Sequence, residues 1–183
     1  AAGKIFPPEC IVMQKTNRTR RLVRCALLAA VYTVLCLVLG YASFGPVQFR
    51  IAEALVMLPV FGPEYIVSSV LGCFLANLLG STPIDVIFGT AATLVAAAGT
   101  WLLRNVRIRG LVIPASLPPV LVNAVIVGAL ELTFFVPDAA ATLPAAAFNA
   151  LTVGLGEIIC CSVLGVGLVK LIETNPALRE FFH

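Results

Sequence analysis

Apolar residues run through this chain in six long stretches, separated by short Gly-, Pro- and polar-rich breaks, and the pattern predicts helices at about 23–40, 46–61, 64–79, 83–103, 111–136 and 145–172. Pro46 suits a first helical position, Gly62 and Pro63 turn the second stretch into the third, and Ser81-Thr82-Pro83 opens the fourth. Pro114, Pro118 and Pro119 near the start of the fifth predict a kink or an irregular first turn. A helix rises about 1.5 Å per residue and needs roughly 20 apolar residues to cross about 30 Å of hydrocarbon. The second and third stretches are short for spans. The expected fold class is an all-α membrane protein, a bundle of six transmembrane helices forming one domain over residues 13–183. Ala1 to Val12 match neither a signal peptide nor the rest of the chain, and are expected to be a non-native or disordered extension ahead of a start at Met13.

Composition agrees with a bilayer as solvent. Of 183 residues, 60% are hydrophobic and 11% charged, and a soluble domain of this size needs far more polar surface. The net charge of +3 matters less than its placement. Lys15, Arg18, Arg20, Arg21 and Arg24 precede the first apolar stretch, and Arg104, Arg107 and Arg109 follow the fourth. Four crossings bring the chain back to its starting side, so both clusters and both termini are expected to be cytoplasmic, and the outer loops (41–45, 80–82, 137–144) carry no Lys or Arg. The six cysteines lack the spacing and His partners of a zinc site and read as small core or lipid-facing residues. No Gly-rich phosphate loop followed by Lys and Ser or Thr is present, so active transport would draw its energy from a partner or an ion gradient.

A charge at membrane depth costs several kcal/mol, on the order of 3, unless it is paired or wetted. The residues that must answer for themselves are Arg50, Glu53, Asn77, Asp85, Asn123, Glu131, Asn149 and Glu157. On this topology five helices send them into the outer half of the bundle while the inner half stays apolar, which describes a cup opening outside and not a pore. Each has a structural reading too. Thr82 to Asp85 fits a capping box. Arg50 and Glu53, three apart on one face, can neutralise each other. Asn77, Asn123 and Asn149 suit interhelical hydrogen bonding, and Glu64 suits a helix-dipole carboxylate at the inner face. Glu157, beside Gly156 and before an unbroken apolar run, has no local cation. In the first helix Ala26 and Ala30 lie one turn apart with Ala29 beside them, a spacing that lets another helix approach closely.

Gly45-Pro46-Val47-Gln48-Phe49-Arg50-Ile51-Ala52-Glu53-Ala54-Leu55, continued by Leu71-Gly72-Cys73-Phe74-Leu75-Ala76-Asn77-Leu78-Leu79 and Asp85-Val86-Ile87-Phe88-Gly89-Thr90, closely resembles the QueT family. Its members are substrate-binding S-components of energy-coupling factor (ECF) transporters, assigned to queuosine precursors. The resemblance covers nearly the whole chain from Met13. It implies a six-helix S-component of the bacterial plasma membrane that captures a deazaguanine base, such as preQ1 or preQ0, outside the cell. It implies no enzyme activity and no cofactor or metal in this chain, since a shared transmembrane coupling subunit and two cytoplasmic ATPases would be the partners. The candidate ligand-binding residues are then Gln48, Arg50, Glu53, Asn77, Asp85, Asn123, Glu131 and Glu157, and Ala26, Ala29 and Ala30 become the surface for the coupling subunit.

Chemistry supports the ligand class that the resemblance implies, though less specifically. A deazaguanine edge carries two adjacent N–H donors that one carboxylate can accept, its carbonyl can be served by an Arg or an amide, and an aminomethyl cation wants a second carboxylate. Glu53, Asp85, Glu131 and Glu157 outnumber Arg50, favouring a cationic or donor-rich ligand over an anionic one. Phe44, Phe49 or Tyr41 can stack on a base or serve as interfacial belt residues. Three readings compete with this one: an S-component for another vitamin or nucleobase-like nutrient, a membrane-embedded enzyme, and an assembly protein that binds no ligand. The enzyme reading has little to draw on, because the only His is His183.

Overall fold

The computed structural model describes residues 8–40, 50–135 and 142–182, with side chains from residue 18 onward. These residues form seven helices: α1 (Pro8–Val38), α2 (Ile51–Val60), α3 (Glu64–Gly80), α4 (Pro83–Leu102), α5 (Ile113–Phe135), α6 (Leu143–Thr174) and α7 (Pro176–Phe182). Four segments are long and apolar enough to cross a membrane, namely Arg18–Val38 of α1, and α4, α5 and α6. The other two apolar helices, α2 and α3, are shorter.

The elements differ from the sequence expectation where local chemistry is stronger than the apolar pattern. α1 reaches back to Pro8, through the basic run, because that run holds good helix formers and no Gly or Pro. The described part of the second expected helix is a 3-10 helix of 10 residues, which at about 2.0 Å per residue spans only about 20 Å. α5 opens with a 3-10 turn over Ile113–Ser116 at Pro114, the irregular start its prolines predicted. α6 starts at Leu143, ahead of the expected 145, because the Thr142 side chain accepts a hydrogen bond from the Ala145 amide at 3.4 Å and Pro144 suits the first turn. The expected tail contains α7.

Around α2 the longer helices pack in chain order. α1 packs on α3, α3 on α4, α4 on α5 and α5 on α6, while α2 touches α1, α3, α4 and α6 from the centre. A helix that is apolar on every side belongs in such a place, and eight of the ten α2 residues are buried. The outer faces are apolar as well: Leu27, Val34, Ile87, Val95, Leu121, Phe148 and Leu151 are all exposed. Lipid is as apolar as these side chains, so the helices are held by close packing and buried polar contacts. At the α1–α3 crossing a Cβ on Gly72 would lie 2.7 Å from the Tyr32 Cβ, and at the α5–α6 crossing a Cβ on Gly128 would lie 2.8 Å from the Ala150 Cα and the Asn149 carbonyl oxygen.

Both basic clusters meet at one end of the bundle. Arg21 lies 3.7 Å from Glu64 at the start of α3, and Arg107 makes two hydrogen bonds to Glu173 at 3.1 and 2.6 Å near the end of α6. The Glu173 carboxylate beside Arg107 raises its pKa. α7 closes this end, with the Tyr65 hydroxyl donating to the Phe182 carbonyl at 3.1 Å and Arg24 over the Phe181 ring at 5.4 Å. Arg109 and Gly110, at φ 51° and 77°, make the tight turn that pairs Ile108 with Leu111.

The crossings give a stability prediction with an internal control. Gly128→Ala forces a methyl into backbone atoms that cannot rotate away, and should cost about 1–3 kcal/mol, read as a lower unfolding temperature in detergent. Gly167→Ala, with nothing within 4 Å, should leave the protein as stable or more so. Equal unfolding temperatures for the two variants would contradict the packing described.

Candidate functional site

The centre of the site is the start of α2. Arg50 precedes the helix in an extended conformation, φ −89° and ψ 91°, and its carbonyl accepts the first hydrogen bond, from the Glu53 amide at 2.9 Å. That places both side chains in the interior of the bundle, 6% and 1% exposed. From α1 the Tyr32 hydroxyl donates to Glu53 Oε1 at 2.5 Å. From α6 Glu157 comes alongside, and Glu53, Glu157 and Cys161 can bring one donor atom each within 4.8 Å of one another.

Glu157 is fully engaged. Asn123 Nδ2 donates to its Oε1 at 2.9 Å, and the Cys161 thiol, one turn on, lies 3.2 Å from its Oε2 and 3.3 Å from the Glu53 carbonyl oxygen. These three groups have the outline of a metal donor set, but the thiol and both Glu157 oxygens already serve hydrogen bonds. On the other side of the centre the side chains of Asp85 (α4) and Glu131 (α5) meet, and Glu53, Glu131 and Glu157 all lie within electrostatic reach of Arg50. Four carboxyl groups and one guanidinium thus share this buried cluster. Glu53 Oε2 and Glu131 Oε2 are buried acceptors with no hydrogen-bond partner among the described residues.

Irregular backbone underlies the arrangement. Glu53 stands in the 3-10 helix, Glu131 in a π-helical stretch over Ala124–Phe135, and Glu157 is the last α-helical residue before a second π stretch, Ile158–Gly165. Departures from the 3.6-residue period re-aim side chains relative to the apolar stripe and are frequent at functional sites.

Seven of the eight expected ligand residues therefore gather in one buried cluster, Arg50, Glu53, Asn77, Asp85, Asn123, Glu131 and Glu157. Gln48 lies outside the described residues, as do Tyr41, Phe44 and Phe49. Asn77 joins α3 to α4, donating to the Asp85 carbonyl at 2.9 Å and lying 3.5 Å from the Cys73 sulfur. Gly89 makes this possible, since a Cβ there would lie 2.6 Å from Asn77 Nδ2 and 3.7 Å from Arg50 Nη1. Thr82 accepts from the Asp85 amide at 3.3 Å, so Asp85 also stands where a capping box puts it. Asn149 bonds Thr133 at 3.0 Å, the interhelical role considered for it. Of the small residues in α1, Ala26 and Ala30 are exposed, whereas Ala29 is turned inward at 2% exposure, because it shares the inner stripe with Tyr32 and Cys36. Ala29 faces α3 of its own chain. Sequence reasoning passed over Tyr32 and Cys161. Tyr32 follows Ala29 by three residues and Cys161 follows Glu157 by four, so helical spacing was the available signal.

The comparisons with known proteins bear on this cluster. The profile of the QueT transporter family matches residues 22–174. A queuosine precursor transporter QueT from Lactococcus lactis subsp. cremoris (strain MG1363) is 39% identical over 83 residues, which is 44% of this chain and 49% of that protein. The matched stretch thus spans about half the length of that relative. No solved structure matches. With the family profile extending over every element that builds the polar cluster, the chain belongs to the QueT transporter family.

Proposed function

We propose that this chain is the substrate-binding S-component of an ECF importer and captures a queuosine precursor, a deazaguanine such as preQ1, in the buried cluster around Arg50. The observation that carries the reading is a buried acceptor, Glu53 Oε2, without a hydrogen-bond partner among the described residues, in a cluster that holds three further carboxyl groups and one guanidinium. An acceptor left unpaired in an apolar interior costs about 1–3 kcal/mol, so it is a place held for a donor. A deazaguanine supplies such donors on one edge, and the aminomethyl group of preQ1 adds a cation where carboxyl groups exceed positive charge. Family membership supports the substrate class, as does the relative named for it.

In this reading Glu53 and Glu131 contact the ligand, Glu157 is held ready by Asn123 and Cys161, and Arg50 with Asn77 orients the group. The six apolar stretches cross a bacterial plasma membrane with both termini cytoplasmic, supported by the gathering of both basic clusters at one end. Ala26 and Ala30 form the face for the transmembrane coupling subunit, and two ATPases supply the energy.

Two measurements test the proposal. Glu53→Gln and Glu131→Gln keep shape but set a donor against a donor, so each should lose roughly 2 to 5 kcal/mol of preQ1 binding, about 30-fold to several thousand-fold. Affinities within about threefold of the parent, in folded protein, would return these residues to a purely structural role. Replacing Ala26 and Ala30 together by Leu should abolish uptake by cells while the purified subunit still binds preQ1, because large side chains fill the groove a partner helix needs. Loss of binding in the purified variant would place that face in the fold of this subunit instead.

A further inference from the structure

Tyr32 is 1% exposed on the inner stripe of α1, and its ring is fixed by the α1–α3 crossing, where Gly72 offers no side chain and the Thr33 hydroxyl reaches the Gly72 carbonyl at 3.2 Å. A ring so held has little freedom to move its hydroxyl away from Glu53. The carboxylate it meets is different: nothing in its own chemistry fixes the rotation of its plane, since the last torsion of a Glu side chain is broad. One hydrogen bond to Oε1, at 2.5 Å, chooses that plane. The choice leaves Oε2 as the acceptor without a partner among the described residues.

We infer that Tyr32 is a positioning residue for ligand recognition, its hydroxyl locking the Glu53 carboxylate so that the free oxygen meets a donor edge of the bound base. The inference rests on the substrate reading above and assigns the specificity for the amino donor of that edge to a residue on a helix that supplies no carboxylate to the cluster. Glu53 stands in the first turn of a 3-10 helix, whose hydrogen-bond geometry is poorer than that of an α-helix. An external clamp from α1 therefore has something to hold. Thr33, adjacent in sequence and buried at the same crossing, bonds only backbone carbonyls, those of Ala29 and Gly72, in the contacts it makes. It provides a control for the loss of a buried hydroxyl that does not touch the carboxylate.

The test is calorimetric titration of the purified full chain with preQ1, 7-deazaguanine and 7-deazahypoxanthine, the last two differing by one amino donor. The parent should bind preQ1 and favour 7-deazaguanine over 7-deazahypoxanthine. Tyr32→Phe keeps the ring and should weaken 7-deazaguanine about 10-fold, a hydrogen bond's worth, while 7-deazahypoxanthine changes little. Thr33→Val should preserve the parent's discrimination. Adding Tyr32→Phe to Glu53→Gln should cost nothing further, because the hydroxyl acts only through that carboxylate. Retained discrimination in Tyr32→Phe, an equal loss in Thr33→Val, full additivity, or a parent that binds preQ1 without discriminating the pair would overturn the inference and leave the substrate reading in place. A parent that does not bind preQ1 would overturn both.

Discussion

A guanidinium enclosed by apolar helices cannot stand alone, and the rest of this structure is arranged around that constraint. Arg50 is buried at the mouth of α2, in a cluster that also holds carboxyl groups from α2, α4, α5 and α6. Meeting those groups requires the helices to approach closely, which is why small residues recur at the crossings: Gly72 against Tyr32, Gly89 against Asn77, Gly128 against Ala150. A bundle whose surface is apolar gains nothing from hiding apolar residues, so its cohesion depends on such contacts and on hydrogen bonds like those of Asn123, Asn77 and Thr100.

The same constraint accounts for the irregular backbone. A regular α-helix repeats its stripe every 3.6 residues, and a local change of period re-aims a side chain relative to that stripe. The 3-10 geometry of α2 and the π stretches of α5 and α6 shift the register locally, and Glu53, Glu131 and Glu157 stand in or beside them. Packing energy and site geometry are therefore set by the same residues, and a substitution that relaxes one disturbs the other.

Much of this was legible in the sequence, for reasons that differ by level. The cost of a charge at membrane depth made Arg50, Glu53, Asp85, Glu131 and Glu157 conspicuous in an apolar chain, and short-range capping chemistry made Thr82 and Pro83 a readable helix start. Backbone irregularity was not legible, because 3-10 and π geometry come from tertiary contacts and leave the apolar pattern unchanged. Tyr32 was hidden for a related cause. A tyrosine in an apolar helix looks like core, and only the approach of α2 gives its hydroxyl a partner. Ala29 shows the limit of spacing alone: three alanines within five residues suggest one face, yet the 100° step per residue turns Ala29 inward while Ala26 and Ala30 face out.

The central claim is that a donor-rich base sits among the carboxylates around Arg50, and photocrosslinking tests it most directly. A preQ1 analogue bearing a small photoreactive group, bound to the purified protein, irradiated and mapped by mass spectrometry, should label α2 together with facing residues of α5 and α6, and excess preQ1 should suppress the labelling. Competable adducts confined to the basic end, on α1 and α7, would contradict the account.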